Sequence, residues 1–137
     1  MVFLKKQKHR VEFAKHYCAD EAFQNPPRLE GETTSAYATR VSNDILSKVE
    51  GLDRGFDVCI EASGAEECMQ IGMKLCRPGG TCTFLQHCRS QDRRTNNQAD
   101  VQIGMCRDKQ PEIDMMAICV KQLNIRGSYL FDAKAVS

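Results

Sequence analysis

Eight thiols stand in this chain: Cys18, Cys59, Cys68, Cys76, Cys82, Cys88, Cys106 and Cys119. Zinc sites need thiolates paired about a turn apart so that two meet one metal, and no CxxC or CxC pair occurs here. Most of the cysteines lie in apolar stretches, where a free thiol behaves as a small hydrophobe, so buried reduced thiols are expected. Scattered metal ligands and structural disulfides stay open as alternatives. His87-Cys88 is the one adjacent His/Cys pair, and its polar surroundings do not make a site; His9 and His16 lie two turns apart and form no metal pair. Arg89, Arg93 and Arg94 could grip an anion, but Asp92 and Asp100 dilute their field. Glu61, at the end of a buried-looking strand, is the carboxylate most open to perturbation by burial, with hydrogen-bonded scaffolding as its expected role.

The elements that must position these groups follow from periodicity. Val11, Ala14 and Cys18, with Phe13 and Tyr17, recur at helical spacing over roughly 8–18. Asn25-Pro26-Pro27 marks a loop. Thr33, Thr34 and Ser35 offer N-caps for a helix with Ala38, Val41, Ile45 and Val49 on one face, closed by Gly51. Phe56–Ala62 is short, rich in β-formers and bracketed by glycines, which suits a buried parallel strand. Ser63-Gly64-Ala65-Glu66 matches a capping box, with Ser63 as N-cap of a helix carrying Cys68, Ile71, Gly72, Leu75 and Cys76. Arg77-Pro78-Gly79-Gly80 ends that helix. Val101–Met105 reads as a strand, Pro111 as the start of a helix carrying Ile113, Met116, Ala117 and Val120, and 123–130 as a final strand. Met69, Met73, Met105, Met115 and Met116 are expected in packing roles rather than as a cofactor box.

Strands alternating with helices imply crossover units and a parallel sheet, hence an α/β fold. Ligands bind beyond the carboxyl ends of such strands, which points to Ser63-Gly64, Gly104-Met105 and Ser128-Tyr129. Segment 83–100 breaks the pattern; it is polar and aperiodic and reads as a solvated insert. The chain has 137 residues, enough for one domain, and 19 Lys+Arg against 18 Asp+Glu. That balance provides no basic field for nucleic acid. No apolar run approaches the ~20 residues of a membrane span, and the opening residues are not in the order of a secretory signal, so a cytoplasmic protein is expected.

The run from Gly51 to Thr81, with its Phe-Asp-Val-Cys-Ile-Glu-Ala-Ser-Gly-Ala core, resembles the cofactor domain of medium-chain zinc-dependent dehydrogenases. Within them it is most similar to the polyol branch of sorbitol, xylitol (D-xylulose reductase) and arabinitol dehydrogenases. Arg10–Tyr17, Val101–Met105 and Pro111–Ser128 continue the resemblance, which covers about 10–82 and 101–129. It implies a Rossmann-like, doubly wound parallel sheet and NAD-linked interconversion of a sugar polyol and a ketose. In this family a zinc held by Cys, His and Glu of a separate domain acts as Lewis acid. Carried over residue by residue, the resemblance puts Arg10 near the adenosine ribose and Ser63 in the turn beside the adenosine. Ile103, Gly104 and Met105 fall where backbone approaches the nicotinamide, and Ser128 and Tyr129 fall at the next strand end.

This sequence departs from the family pattern in ways that shape the expectations. The first strand and its Gly-rich pyrophosphate turn are not found within 1–137, nor are the zinc ligands. Lys5 stands where the family has an acidic residue for the ribose hydroxyls, and a lysine cannot accept those hydrogen bonds. Leu130-Phe131 replaces the usual Arg-Tyr that helps hold the polyol. Removing 83–100 would join Gly80–Cys82 to Val101–Met105 as one family-like strand, so the insert is expected to be extraneous. Residues 1–137 therefore read as one incomplete dinucleotide-binding domain, inactive alone. A non-enzymic interaction module, with an exposed sheet edge offering a surface for a homo-oligomer or another partner, or a misannotated remnant is the alternative.

Overall fold

The computed structural model describes residues 1–5, 7–86 and 111–129. Five strands and four helices alternate through them: β1 (Val2–Lys5), α1 (Lys8–Tyr17), β2 (Glu21–Gln24), α2 (Thr34–Lys48), β3 (Phe56–Glu61), α3 (Glu66–Leu75), β4 (Cys76–Gln86), α4 (Met115–Lys121) and β5 (Asn124–Tyr129). The strands form two parallel ladders, β1-β2 and β3-β4-β5. The α/β class is as the alternation implies.

Helices α2 and α3 pack together and unite the ladders. Tyr37, Ala38, Val41 and Ile45 of α2 meet Ile71 and Leu75 of α3, and Val2, Leu4, Phe23, Phe56 and Cys59 from both ladders pack on that cluster. The stripe expected on α2 is the one buried, and Thr33 caps it by accepting a hydrogen bond from the Ala36 N–H at 3.2 Å. A second cluster joins Met73, Cys76, Cys82 and Leu123, with Phe84 and Ile118 against them. Helix α1 packs on β1 and β2. Val58 and Ile60, which alternate with Cys59 on β3, are 57% and 67% exposed.

Several expectations are corrected. Helix α3 starts at Glu66 with Ala65 as a cap lacking a side-chain bond, so Ser63 is not its N-cap. Helix α4 starts at Met115, not Pro111, because the Asp114 carboxylate accepts from the Ala117 N–H at 2.9 Å and fixes the first turn there. Of its apolar residues, Met115, Met116 and Val120 are exposed and Ile118 packs on the second cluster, whereas Met69 and Met73 are buried. Cys18 and Cys119 are exposed rather than buried thiols. Thr83–Gln86, assigned to the aperiodic insert, are paired within β4, between β3 and β5. Strand β4 also begins earlier than expected, directly after α3. Arg77–Gly80 bulge opposite Asp57, and a side chain at Gly80 would come within 2.9 Å of the Arg77 carbonyl. The expected strand Val101–Met105, the rest of 83–100, and Leu130-Phe131 lie outside the described residues.

Candidate dinucleotide rim

Parallel strands end together, and Glu61 of β3 lies level with Phe84 of β4 and Gly127 of β5. Ser63 stands two residues beyond Glu61; Ser128 and Tyr129 close β5, opposite Leu85 and Gln86. These positions therefore share one rim, at the carboxyl ends where α/β sheets take ligands. Arg10 lies in α1, exposed, and lines the same cleft as Ser63 and Lys5. Ile103, Gly104 and Met105 lie outside the described residues.

The turn after β3 is built around Glu61, which is only 6% exposed. Its carboxylate accepts from the Ser63 N–H at 2.6 Å, from the Ser63 hydroxyl, and from the Gly64 N–H at 3.1 Å. Gly64 makes the reversal at φ +69°, where a side chain would be strained. Ser63 Oγ also accepts from the Ala65 N–H at 3.3 Å. Burial without hydrogen bonds would be costly for a carboxylate, and these donors offset that cost. Glu61 is scaffolding for the turn, as its burial suggested.

A second hollow of about 370 Å³ opens beside the end of β2, lined by Gln24, Asn25, Pro26, Arg28, Tyr37 and Glu67. The Tyr37 hydroxyl donates to the Pro26 carbonyl at 2.9 Å, and the Arg28 and Arg40 guanidinium groups lie 5.7 and 5.4 Å from its ring centre. Arg40 grips Glu32 with two bonds of 2.8 Å, which hold the Glu32 carboxyl down at about 2. Asn25 lines both this hollow and the cleft; it is 7% exposed, and its Oδ1 has no hydrogen-bond partner among the described residues. Asn25 escaped the sequence reading, where Asn-Pro-Pro signalled only a loop.

The buried thiols form a separate group on the α3 side of the sheet. Cys59 and Cys82 are register partners, and the S–H groups of both lean on Cys76. Those donors, aided by the Lys121 ammonium, hold the Cys76 thiol well below its usual range, and Cys59 and Cys82 are pushed up in return. Lys121 is anchored by donating to the Lys74 and Cys76 carbonyls at 2.6 and 2.9 Å. Among the described residues no three His, Cys, Asp or Glu side chains are arranged to hold a metal ion. The residues described here therefore do not fit a zinc centre. None of the described helices is long and apolar enough to cross a membrane.

No protein-family model matches the chain. D-xylulose reductase A of Aspergillus oryzae is 35% identical over 125 residues, covering 91% of this chain and 27% of that protein. Among solved structures, L-idonate 5-dehydrogenase of Escherichia coli aligns over 97% of this chain and 28% of its own, at 18% identity and a TM-score of 0.58. A zinc-binding dehydrogenase of Sinorhizobium meliloti, solved bound to NADP, aligns over 93% of this chain and 29% of its own, at 17% identity and a TM-score of 0.56. At that identity the structures show a shared fold. The chain spans just over a quarter of the length of the curated relatives it matches.

Proposed function

We propose that this chain, which belongs to the medium-chain zinc alcohol/polyol dehydrogenase family, supplies part of the NAD(P)-binding half of an oxidoreductase that interconverts a sugar polyol and a ketose. The observation that carries this reading is the common rim: the Glu61-braced turn at Ser63 and the end of β5 at Ser128-Tyr129 lie at the carboxyl ends of one parallel ladder. When bound, NAD(P) supplies the hydride-transfer chemistry.

The roles of the chain's own residues are positional. Ser63 and Gly64, held by Glu61, present a fixed turn to the adenosine. Arg10 reaches the cleft from α1 toward the ribose. Ser128 and Tyr129 border the nicotinamide side, with Ile103, Gly104 and Met105 assigned to it by the family resemblance. The resemblance implies NAD, but the lining argues for a phosphorylated ribose: Lys5 ends β1 and Arg10 shares its cleft. Two cations suit a 2′-phosphate, whereas neither accepts hydrogen bonds from free ribose hydroxyls.

Residues 1–137 do not turn over a polyol by themselves. Catalysis in this family needs hydride donor and acceptor held together, an arrangement worth roughly 7–11 kcal/mol; the described residues bring no zinc-ligand set, and the sequence has no GxGxxG turn. Titration of the purified chain with NADP⁺ and NAD⁺ tests the binding claim. Binding is expected for both, tighter for NADP⁺, with the preference reversed by Lys5→Glu. Failure to bind either dinucleotide overturns the assignment.

A further inference from the structure

We infer that Cys59, Cys76 and Cys82 form an intrachain redox switch, in which a hydroperoxide oxidises Cys76 and Cys59 closes a disulfide onto it. Cys59 and Cys82 are register partners on β3 and β4. Both side chains face α3: a Cβ built on Gly72 would lie 3.4 Å from the Cys82 Sγ and 3.9 Å from the Cys59 Cβ. The bulge brings the third thiol to the same place. Along β3 the register advances from Phe56 to Val58 while β4 advances from Cys76 to Thr81, so Cys76 is folded back beside Cys82. Its Sγ lies 3.6 Å from the Thr81 carbonyl oxygen. The Cys59 and Cys82 S–H groups and the Cys59 N–H all donate to the Cys76 sulfur.

A sulfur that accepts from several donors is the one that carries the trio's negative charge, and the Lys121 ammonium lies beside it, bonded to the Cys76 carbonyl at 2.9 Å. The thiolate is the nucleophilic form of cysteine. The Cys76 sulfur attacks one oxygen of the hydroperoxide, the O–O bond breaks, and the other oxygen leaves as hydroxide or alkoxide. Cys76 is then a sulfenic acid. The Cys59 sulfur attacks it, the S–O bond breaks, and the oxygen leaves as water with the Cys59 proton. Two thiols have given up two electrons and the peroxide has taken them. Cys59 is the partner because it reaches the Cys76 sulfur with both its S–H and its N–H, and it is partly buried where Cys82 is fully buried.

The cover over the trio is weakly held. Ile118 of α4 packs against the thiol cluster, yet α4 has seven residues and none is buried. Polar contacts with α3 fasten it: Lys74 with Asp114 at 3.3 Å, Gln70 Nε2 donating to the Glu112 carbonyl at 3.3 Å, and the Lys121 bonds. An element with so little buried opens at lower cost than the core, which admits a molecule little larger than water. Disulfide closure removes the anion beside Lys121, so oxidation loosens α4. It also ties together the two ends of 59–76, the segment that carries the Glu61-braced turn and α3.

Hydrogen peroxide added to the intact folded chain, followed by alkylation of the remaining thiols and unreduced peptide mapping, tests this. The expected product is a Cys59–Cys76 cross-link, reversed by dithiothreitol, with amide exchange in 115–121 faster by about tenfold. Exposed Cys18 and Cys119 report ordinary surface oxidation. Oxidation confined to them, with the trio alkylated only after unfolding, overturns the inference. So does a cross-link that joins Cys82 to either neighbour, or one that leaves exchange in 115–121 unchanged. Cys76→Ser should abolish cross-linking of Cys59, and a persisting internal link to Cys59 in that variant overturns the role given to Cys76. The mapping on the intact chain decides the inference whether or not that variant folds, and it does not depend on the dinucleotide reading.

Discussion

Glu61 takes its hydrogen bonds from residues immediately downstream, so its removal leaves the Ser63 and Gly64 donors at a half-buried turn without their acceptor. Glu61→Ala is expected to cost about 1.5–3 kcal/mol, the range for hydrogen bonds to a charged group, read as a lower urea midpoint with an unchanged slope. Glu61 was legible from its place at the end of an apolar strand. Ser63 was misread, because a hydroxyl three residues before Glu66 satisfies the spacing of a helix cap and equally that of a turn bonding backward. Glu32 gives a pH prediction. Its carboxyl is held at about 2 by the hydrogen bonds from Arg40, below the value of an unfolded glutamate. Its stabilisation is therefore complete above about pH 4.3 and is lost as pH falls toward 2. Glu32→Gln should flatten the acid limb of a stability–pH curve between those values and leave the neutral region less affected by pH.

At the scale of elements, close backbone approach decides where glycine is required. Gly55 stands at φ +92°, and a Cβ there would lie 2.5 Å from the Leu75 carbonyl and 2.9 Å from the Arg77 amide. Neither contact is a side chain that can swing aside. Gly51 shares the positive φ, at +77°, but faces open space. Gly55→Ala should therefore destabilise by at least about 2 kcal/mol, and Gly51→Ala by only about 1, both measured by chemical unfolding. The long elements were readable because their patterns were strong: α2 carries its stripe over fifteen residues and β3 is a dense run of β-formers between glycines. The short ones were not. Strand β2, Glu-Ala-Phe-Gln, has four residues and no clear alternation, and only its pairing with β1 makes it a strand. Thr83–Gln86 were set aside with the polar insert because sequence shows the composition after 86 but not the register that ties these four to β3 and β5.

For the molecule as a whole, the assay prediction is a null: purified chain with sorbitol or xylitol, NAD⁺ or NADP⁺ and excess zinc should give no reduced dinucleotide above background. Clear turnover would overturn the assignment of a cofactor-binding part without its own catalytic centre. The α/β class and the placing of Ser63 and Ser128 at strand ends were legible because alternation and strand ends are local signals. The two-ladder arrangement was only partly so: a bare edge could be anticipated, but the cleft shared by β1 and β3 comes from α2 and α3 packing across sequence-distant strands. Helices α3 and α4 cover one side of β3-β4-β5, while Val58 and Ile60 stand open on the other. A reporter dye that brightens on greasy surfaces will therefore already glow with the native protein. Melting curves read from such a dye will start from a raised baseline, and calorimetry is the sounder thermometer for every variant named above.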